Sequence, residues 1–223
     1  MKLVSSNWEH TFKLGDGECY RLIIENPITF RTYLQELRNQ LEEQEGNLVL
    51  SENNKILKLK DHVLLIDNPL ILDTADKKIT LKLLSSLKNF ALSEDIFTKS
   101  SGIIADLERY ALLITDTFDQ SIKYSTPDIP SLIKFLGFEI DLDYEDPLEM
   151  LLEYFNAIHS LCGITTFIIV NLTSYFSEAE ISLLLSNCIS QKHSLLLIES
   201  HNTDINVDFL KTIIIDKDNC EIF

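Results

Sequence analysis

The chain has 223 residues, with 19 Lys and Arg against 35 Asp and Glu, a formal charge of −16. At 45% hydrophobic and 24% charged, with six Gly and five Pro, it has the make-up of a folded globular chain, which excludes collagenous, low-complexity and wholly disordered classes. Apolar runs such as Phe167 to Val170, Leu195 to Ile198 and Ile213 to Ile215 fall well short of the ~20 residues of a membrane span, and Met1 to Asn7 carries no apolar core, so neither a span nor a secretory signal is expected.

Phe12 to Leu14 and Tyr20 to Ile24 are short apolar runs separated by Gly15-Asp16-Gly17, the pattern of two strands joined by a hairpin turn. Asn26 stands at an N-cap position with Pro27 at the first helical position. Phe30, Leu34, Leu37 and Leu41 then form a one-sided stripe that predicts a helix ending near Gly46. Leu48 to Leu50, Ile56 to Leu59 and His62 to Ile66 predict three more strands.

From Asp76 the period changes to helical. Ile79, Leu83, Leu87, Phe90 and Ala91 share one face, with Lys78 and Lys82 one turn apart on another. A second helix is predicted from Gly102 through Ile103, Leu107, Tyr110, Ala111, Ile114 and Phe118, and a short element over Leu132 to Phe138. Asp146-Pro147 predicts the start of another helix, carrying Leu151, Leu152, Phe155 and Ile158 inward. Beyond Gly163, Phe167 to Val170, Ser194 to Ile198 and Ile213 to Ile215 are continuous apolar runs of the kind buried on both faces. Ser177-Glu178-Ala179-Glu180 is a capping box opening the helix between the first two. Strand–helix–strand with apolar strands implies a parallel βαβ unit.

The fold class is therefore α/β, with residues 1–75 and 163–223 forming a discontinuous head and residues 76–162 an all-helical insertion. Two consecutive domains would leave each terminal piece with a marginal core of its own. Charge follows the same division. Residues 53–99 hold eight lysines against six carboxylates, a net of +2, whereas residues 100–160 hold three basic residues against twelve acids, a net of −9.

Chemistry is sparse. Cys19, Cys162, Cys188 and Cys220 lack metal-ligand spacing and are expected to be reduced thiols in a cytoplasmic protein. No phosphate loop of either glycine-rich type occurs. Asn171 follows a buried strand where an ATPase would place a magnesium-binding acid, and an amide is a poor replacement for that ligand. The five histidines lie apart in sequence, and no nucleophile elbow is present. Asp141, Asp143, Glu145 and Asp146 form an acidic run without the glycine of a calcium loop, as a solvated loop ahead of a helix would also do.

An ordered set of segments resembles the Csn-two family of type II-A CRISPR systems. The set comprises Ile24-Glu25-Asn26-Pro27 leading to Leu41-Glu42-Glu43-Gln44, Leu72-Asp73 through Lys77-Lys78-Ile79 to Lys82-Leu83, and Leu132-Ile133-Lys134 with Leu136-Gly137. It continues with Phe167 to Leu172, then Tyr175, Glu178, Glu180 and Ile181, and closes with Leu195 to Glu199. The resemblance implies a degenerate head similar to an ABC or SMC ATPase, interrupted by a helical leg. It further implies a homotetrameric ring that binds ends of double-stranded DNA without sequence preference during spacer acquisition. Such a protein is not an enzyme, binds no nucleotide, uses calcium structurally, and associates with the CRISPR integrase complex and the guide-directed effector nuclease.

On that reading Lys77, Lys78 and Lys82 are the first candidates for phosphate contacts, with Lys55, Lys58 and Lys60 behind them. Lys58 and Lys60 alternate with Leu57 and Leu59, as any outward strand face would. Asp116, Asp119 and Asp128 are the calcium candidates implied by the resemblance, although Lys123 stands where the family tends to keep an acid. Lysines turned into a central hole beneath an anionic exterior would focus the field on the channel. Two other readings stay open: an acidic protein–protein scaffold without DNA affinity, and a metal-dependent nuclease or ATPase built on Asp141, Asp143, Glu145 and Asp146.

Overall fold

The computed structural model describes residues 1–74, 76–203, 205 and 207–222. The chain divides into two compact units, Met1–Leu72 with Leu142–Phe223, and Asp73–Asp141.

The first unit contains two sheets. Strands β1 (Lys2–Ser5), β2 (Phe12–Lys13), β4 (Leu48–Glu52) and β5 (Lys55–Leu57) form an antiparallel sheet in the order β2-β1-β4-β5. The other sheet, in the order β10-β9-β3-β8-β7-β6, is built from β3 (Cys19–Ile24), β6 (Val63–Ile66), β7 (Thr166–Val170), β8 (Ser194–Glu199), β9 (Leu210–Ile215) and β10 (Glu221–Ile222). It is parallel throughout except for β10, which turns back on β9.

All six residues of β3 are buried, as are those of β7 and β8, so both sheet faces are covered. On one face Tyr20, Leu22 and Ile24 join Leu3, Phe12, Leu50 and Leu37 of α1 (Pro27–Leu41) in a single core. Trp8 packs edge-on against Phe12 and Tyr33 at its border, with ring centroids 5.4 and 5.6 Å apart. By the two-residue alternation of strands, Cys19, Arg21 and Ile23 point the opposite way. There Phe155 of α6 (Pro147–Cys162) lies flat on Phe167, 3.8 Å between ring centres and 5° from parallel.

Several predicted elements take a different course. The Gly15-Asp16-Gly17 turn does not close a hairpin: β2 and β3 belong to different sheets. All three residues have positive φ (127°, 56° and 81°), and the turn carries the chain from one sheet to the other. Gly17 is obligatory there, because a Cβ would stand 2.9 Å from Cα of Ile189. The expected strand through Leu59 stops at Leu57, and Leu59–His62 forms a helical turn, α2. Leu59 is buried at its start, which satisfies the apolar pattern without a strand.

The βαβ unit is present as β7, α7 (Glu178–Ser190) and β8, with β7 and β8 parallel in register. Ser177 and Glu180 form the capping box of α7. The helix α6, which the sequence pattern grouped with the insertion, lies in the first unit, where Leu151, Tyr154, Phe155 and Ile158 are buried.

The second unit holds α3 (Lys77–Ala91), α4 (Phe97–Thr115) and α5 (Ile129–Leu136). Asp76 caps α3, its carboxylate accepting from the Lys78 and Ile79 amides at 2.8 and 3.2 Å. The helix α4 starts five residues before Gly102 and runs through it. Truncating Phe155 to alanine is expected to cost about 3–5 kcal/mol, as loss of a buried aromatic does, and to lower the urea midpoint accordingly. Gly102→Ala, whose Cβ meets nothing within 4 Å, is expected to stabilise the protein by up to about 1 kcal/mol in the same assay.

Candidate nucleic-acid interface

In a parallel α/β sheet the carboxyl ends of the strands, where crossovers diverge, are the usual ligand site. Here β3 leads into α1 and its neighbour β8 follows α7, so a phosphate would be sought at the start of α1. That position is filled by the protein itself. Asn26 Oδ1 accepts from the Ile28 and Thr29 amides at 3.0 and 3.3 Å, and its Nδ2 donates to the Lys217 carbonyl at 3.0 Å.

The rest of this edge is internally bonded as well. Asn171, held at φ 51° and ψ 40°, accepts from the Ser200 amide at 2.8 Å. Glu199, 1% exposed, accepts from the Thr173 amide at 3.1 Å and hydroxyl at 2.8 Å. Burial pushes its carboxyl up from the usual carboxylate range, against the opposing pull of those bonds and of Arg21. Arg21, 2% exposed, donates from Nη2 to the Thr203 carbonyl at 3.0 Å and hydroxyl at 2.5 Å. Sequence reasoning missed this cluster; a charged residue inside a fully apolar run, as Arg21 is, was its available signal.

The candidate lysines fall into two groups, one in each unit. In the first unit Lys55 is exposed at the start of β5, opposite Glu52 and just beyond the Asn53-Asn54 turn. Lys58 and Lys60 do not share a free strand face. Both close on Glu43, at 2.9 and 2.6 Å, and together they hold its carboxyl down to about 2, with the bond to Lys60 the larger cause. Glu43 was also missed, although it stands in the acidic run Glu42-Glu43-Gln44-Glu45 directly after α1.

In the second unit Lys77 and Lys82 are exposed on α3 and make no ion pair among the described residues. Lys78, half-buried, follows Lys77 and lies one turn before Lys82. Asp76 already caps the first-turn amides, so anion contact on α3 falls to these side chains.

The calcium candidates are not gathered. Asp116 caps the end of α4, Asp119 lies in the loop beyond, and Asp128 is the N-cap of α5. Asp128 accepts from the Ser131 amide at 2.7 Å, and its bonds to Ser131 hold its carboxyl low. Among the described residues no group of three or more His, Cys, Asp or Glu is placed to hold a metal ion, so these three do not fit a calcium site within one chain. The same holds for the acidic run, where Asp146 caps α6 by accepting from Leu148 and Glu149. No helix among the described residues is long and apolar enough to cross a membrane.

The Glu43 pairing predicts a measurable titration. Its depressed value means that the contribution of the two lysine contacts is complete above the ordinary carboxylate value and is lost as pH falls toward 2. In NMR titrations Glu43 is expected to ionise near 2, and Lys60→Ala with Lys58→Ala to return it to the ordinary range.

A family model described as CRISPR-associated protein (Cas_Csn2) matches residues 40–219. Comparison with curated proteins finds no match. Among solved structures, the chain is similar to an ABC transporter ATP-binding protein from Pyrococcus furiosus at 13% identity and a TM-score of 0.39, over 95% of this chain and 97% of that one.

Proposed function

The chain belongs to the Cas_Csn2 family of CRISPR-associated proteins, and on that premise we propose that it is a non-catalytic accessory of spacer acquisition that binds ends of double-stranded DNA as a homotetrameric ring. The observation that carries the reading is the state of α3. On a chain of charge −16, Lys77 and Lys82 are exposed and engaged in no ion pair among the described residues. Their charge is available to phosphate, whereas that of Lys58 and Lys60 is largely committed to Glu43. Lys77, Lys78 and Lys82 are therefore the primary contacts, Lys55 is secondary, and Lys58 and Lys60 contribute least.

Assembly is supported by α4. Only Ser100 of its 19 residues is buried, while Ile103, Tyr110 and Leu113 are 51%, 63% and 65% exposed. So much apolar surface on one helix calls for a cover, and a second copy of the chain supplies one. Repetition around a ring brings each lysine to the opening once per subunit. Phosphate contacts give affinity without base reading, and a closed ring selects ends because only a free end can enter. The head is read as a degenerate relative of ABC and SMC ATPases: β3, its loop and α1 occupy the phosphate-loop place, and Asn26 completes the helix start there. No step of this function is routed through calcium or nucleotide. Its partners on this reading are the integrase complex and the guide-directed nuclease of the same system.

Gel retention on linear and covalently closed circular DNA of equal length tests the proposal. Linear DNA is expected to bind, circular DNA to fail, and log affinity to fall with log salt at about −0.9 per neutralised phosphate. Lys77→Glu with Lys82→Glu is expected to abolish retention while the mass in solution remains that of a tetramer. An acid in the first helical turn suits the helix dipole, so the fold is preserved. Equal binding of both DNA forms, or no binding with a monomeric mass, leaves the acidic scaffold as the reading.

A further inference from the structure

His193, at the entry to β8, has no solvent exposure. Its ring meets Phe155 of α6 and Phe167 of β7 edge-on, with centroids at 6.3 and 5.4 Å. Its amide donates to the Cys188 carbonyl near the end of α7 at 2.8 Å. Nε2 lies 3.1 Å from Nδ1 of His159, an exposed residue of α6. The remaining nitrogen, Nδ1 of His193, is buried without a hydrogen-bond partner.

Two neutral arrangements satisfy a 3.1 Å N···N contact. In one, His193 Nε2–H donates to His159 Nδ1, and His193 Nδ1 is a bare lone pair. In the other, His159 donates, and His193 must carry its proton on the buried, partnerless nitrogen. Orphaned buried N–H groups are the rarer defect, so the resting pair has His193 as donor. His159 then carries its own proton on Nε2, and the next proton can only land on the Nδ1 that accepts the bond. Two N–H groups would face each other at hydrogen-bond distance.

We propose that His159 and His193 form a proton-operated latch between α6 and the parallel sheet, shut while both rings are neutral and released when His159 takes up a proton. The groups facing His193 are His159 and Phe155 from α6, Phe167 from β7, and Cys188 from α7. Of these, His159 is the one whose charge acts on it. Burial first, and His159 second, hold His193 below the ordinary histidine value. The shut state is accordingly favoured above about pH 6.5 and loses ground as pH falls through it. Once released into water, His193 takes up a second proton. The device acts on α6, the first helix after the chain returns to the first unit at Leu142.

Native-state hydrogen exchange of the β8 amides Leu195 to Ile198, corrected for intrinsic exchange and followed from pH 7.5 to 5.0, tests the latch. Three proteins are compared: the parent chain, His159→Gln, and His159→Gln with His193→Phe. Glutamine accepts the bond from His193 without titrating. The opening constant is expected to rise one proton more steeply, tenfold per pH unit, in the parent than in His159→Gln. A further proton is lost in the double variant. Equal slopes for the parent and His159→Gln would show that His159 is protonated without opening anything, and would overturn the latch. That comparison stands even if the double variant does not fold.

Discussion

The whole of the first unit depends on one constraint, the complete burial of the strand Cys19–Ile24 at the middle of a parallel sheet. A strand paired on both sides and covered on both faces has no room for water, so each of its six side chains needs a partner inside the protein. Tyr20, Leu22 and Ile24 find theirs in the core shared with the antiparallel sheet and α1. Arg21 cannot do so with carbon alone. Its guanidinium reaches Thr203 and feels the carboxylate of Glu199, so the loops beyond β7 and β8 are tied down by groups that solvent does not reach. Leaving one of these charges without its counterpart would cost far more than the pair contributes, which makes the cluster a condition of the fold.

The same economy explains the carboxyl edge of the sheet. Helix starts expose amides that must be satisfied by something. In this chain Asn26, Asn171 and Glu199 satisfy the amides of Ile28, Thr29, Ser200 and Thr173 from within. The positive charge available to a polyanion lies elsewhere, on α3, where Asp76 has already closed the helix start and only side chains project.

Much of this was legible in the amino-acid pattern because its signals are local. The Asn26-Pro27 start, the Asp76 cap, the Asp146-Pro147 start and the Ser177–Glu180 capping box each depend on residues within one turn, and each marks a real helix boundary. The parallel βαβ unit followed from unbroken apolar runs. What failed was long-range. Whether Gly15-Asp16-Gly17 closes a hairpin or passes between sheets depends on the partners of β2 and β3, which lie far away in the chain. The attachment of α6 was hidden because its own stripe does not say which surface it covers. Lys58 and Lys60 looked available because Glu43 is fifteen residues from the first of them, beyond any local pattern.

Trp8 is the single tryptophan of the chain, and it sits edge-on to Phe12 and Tyr33 within the first unit. Intrinsic fluorescence therefore watches one half of this molecule and is blind to the other. A melt followed by emission tracks the sheets alone, while ellipticity at helix wavelengths also registers α3, α4 and α5. The gap between the two curves is an optical measure of how independently the halves come apart.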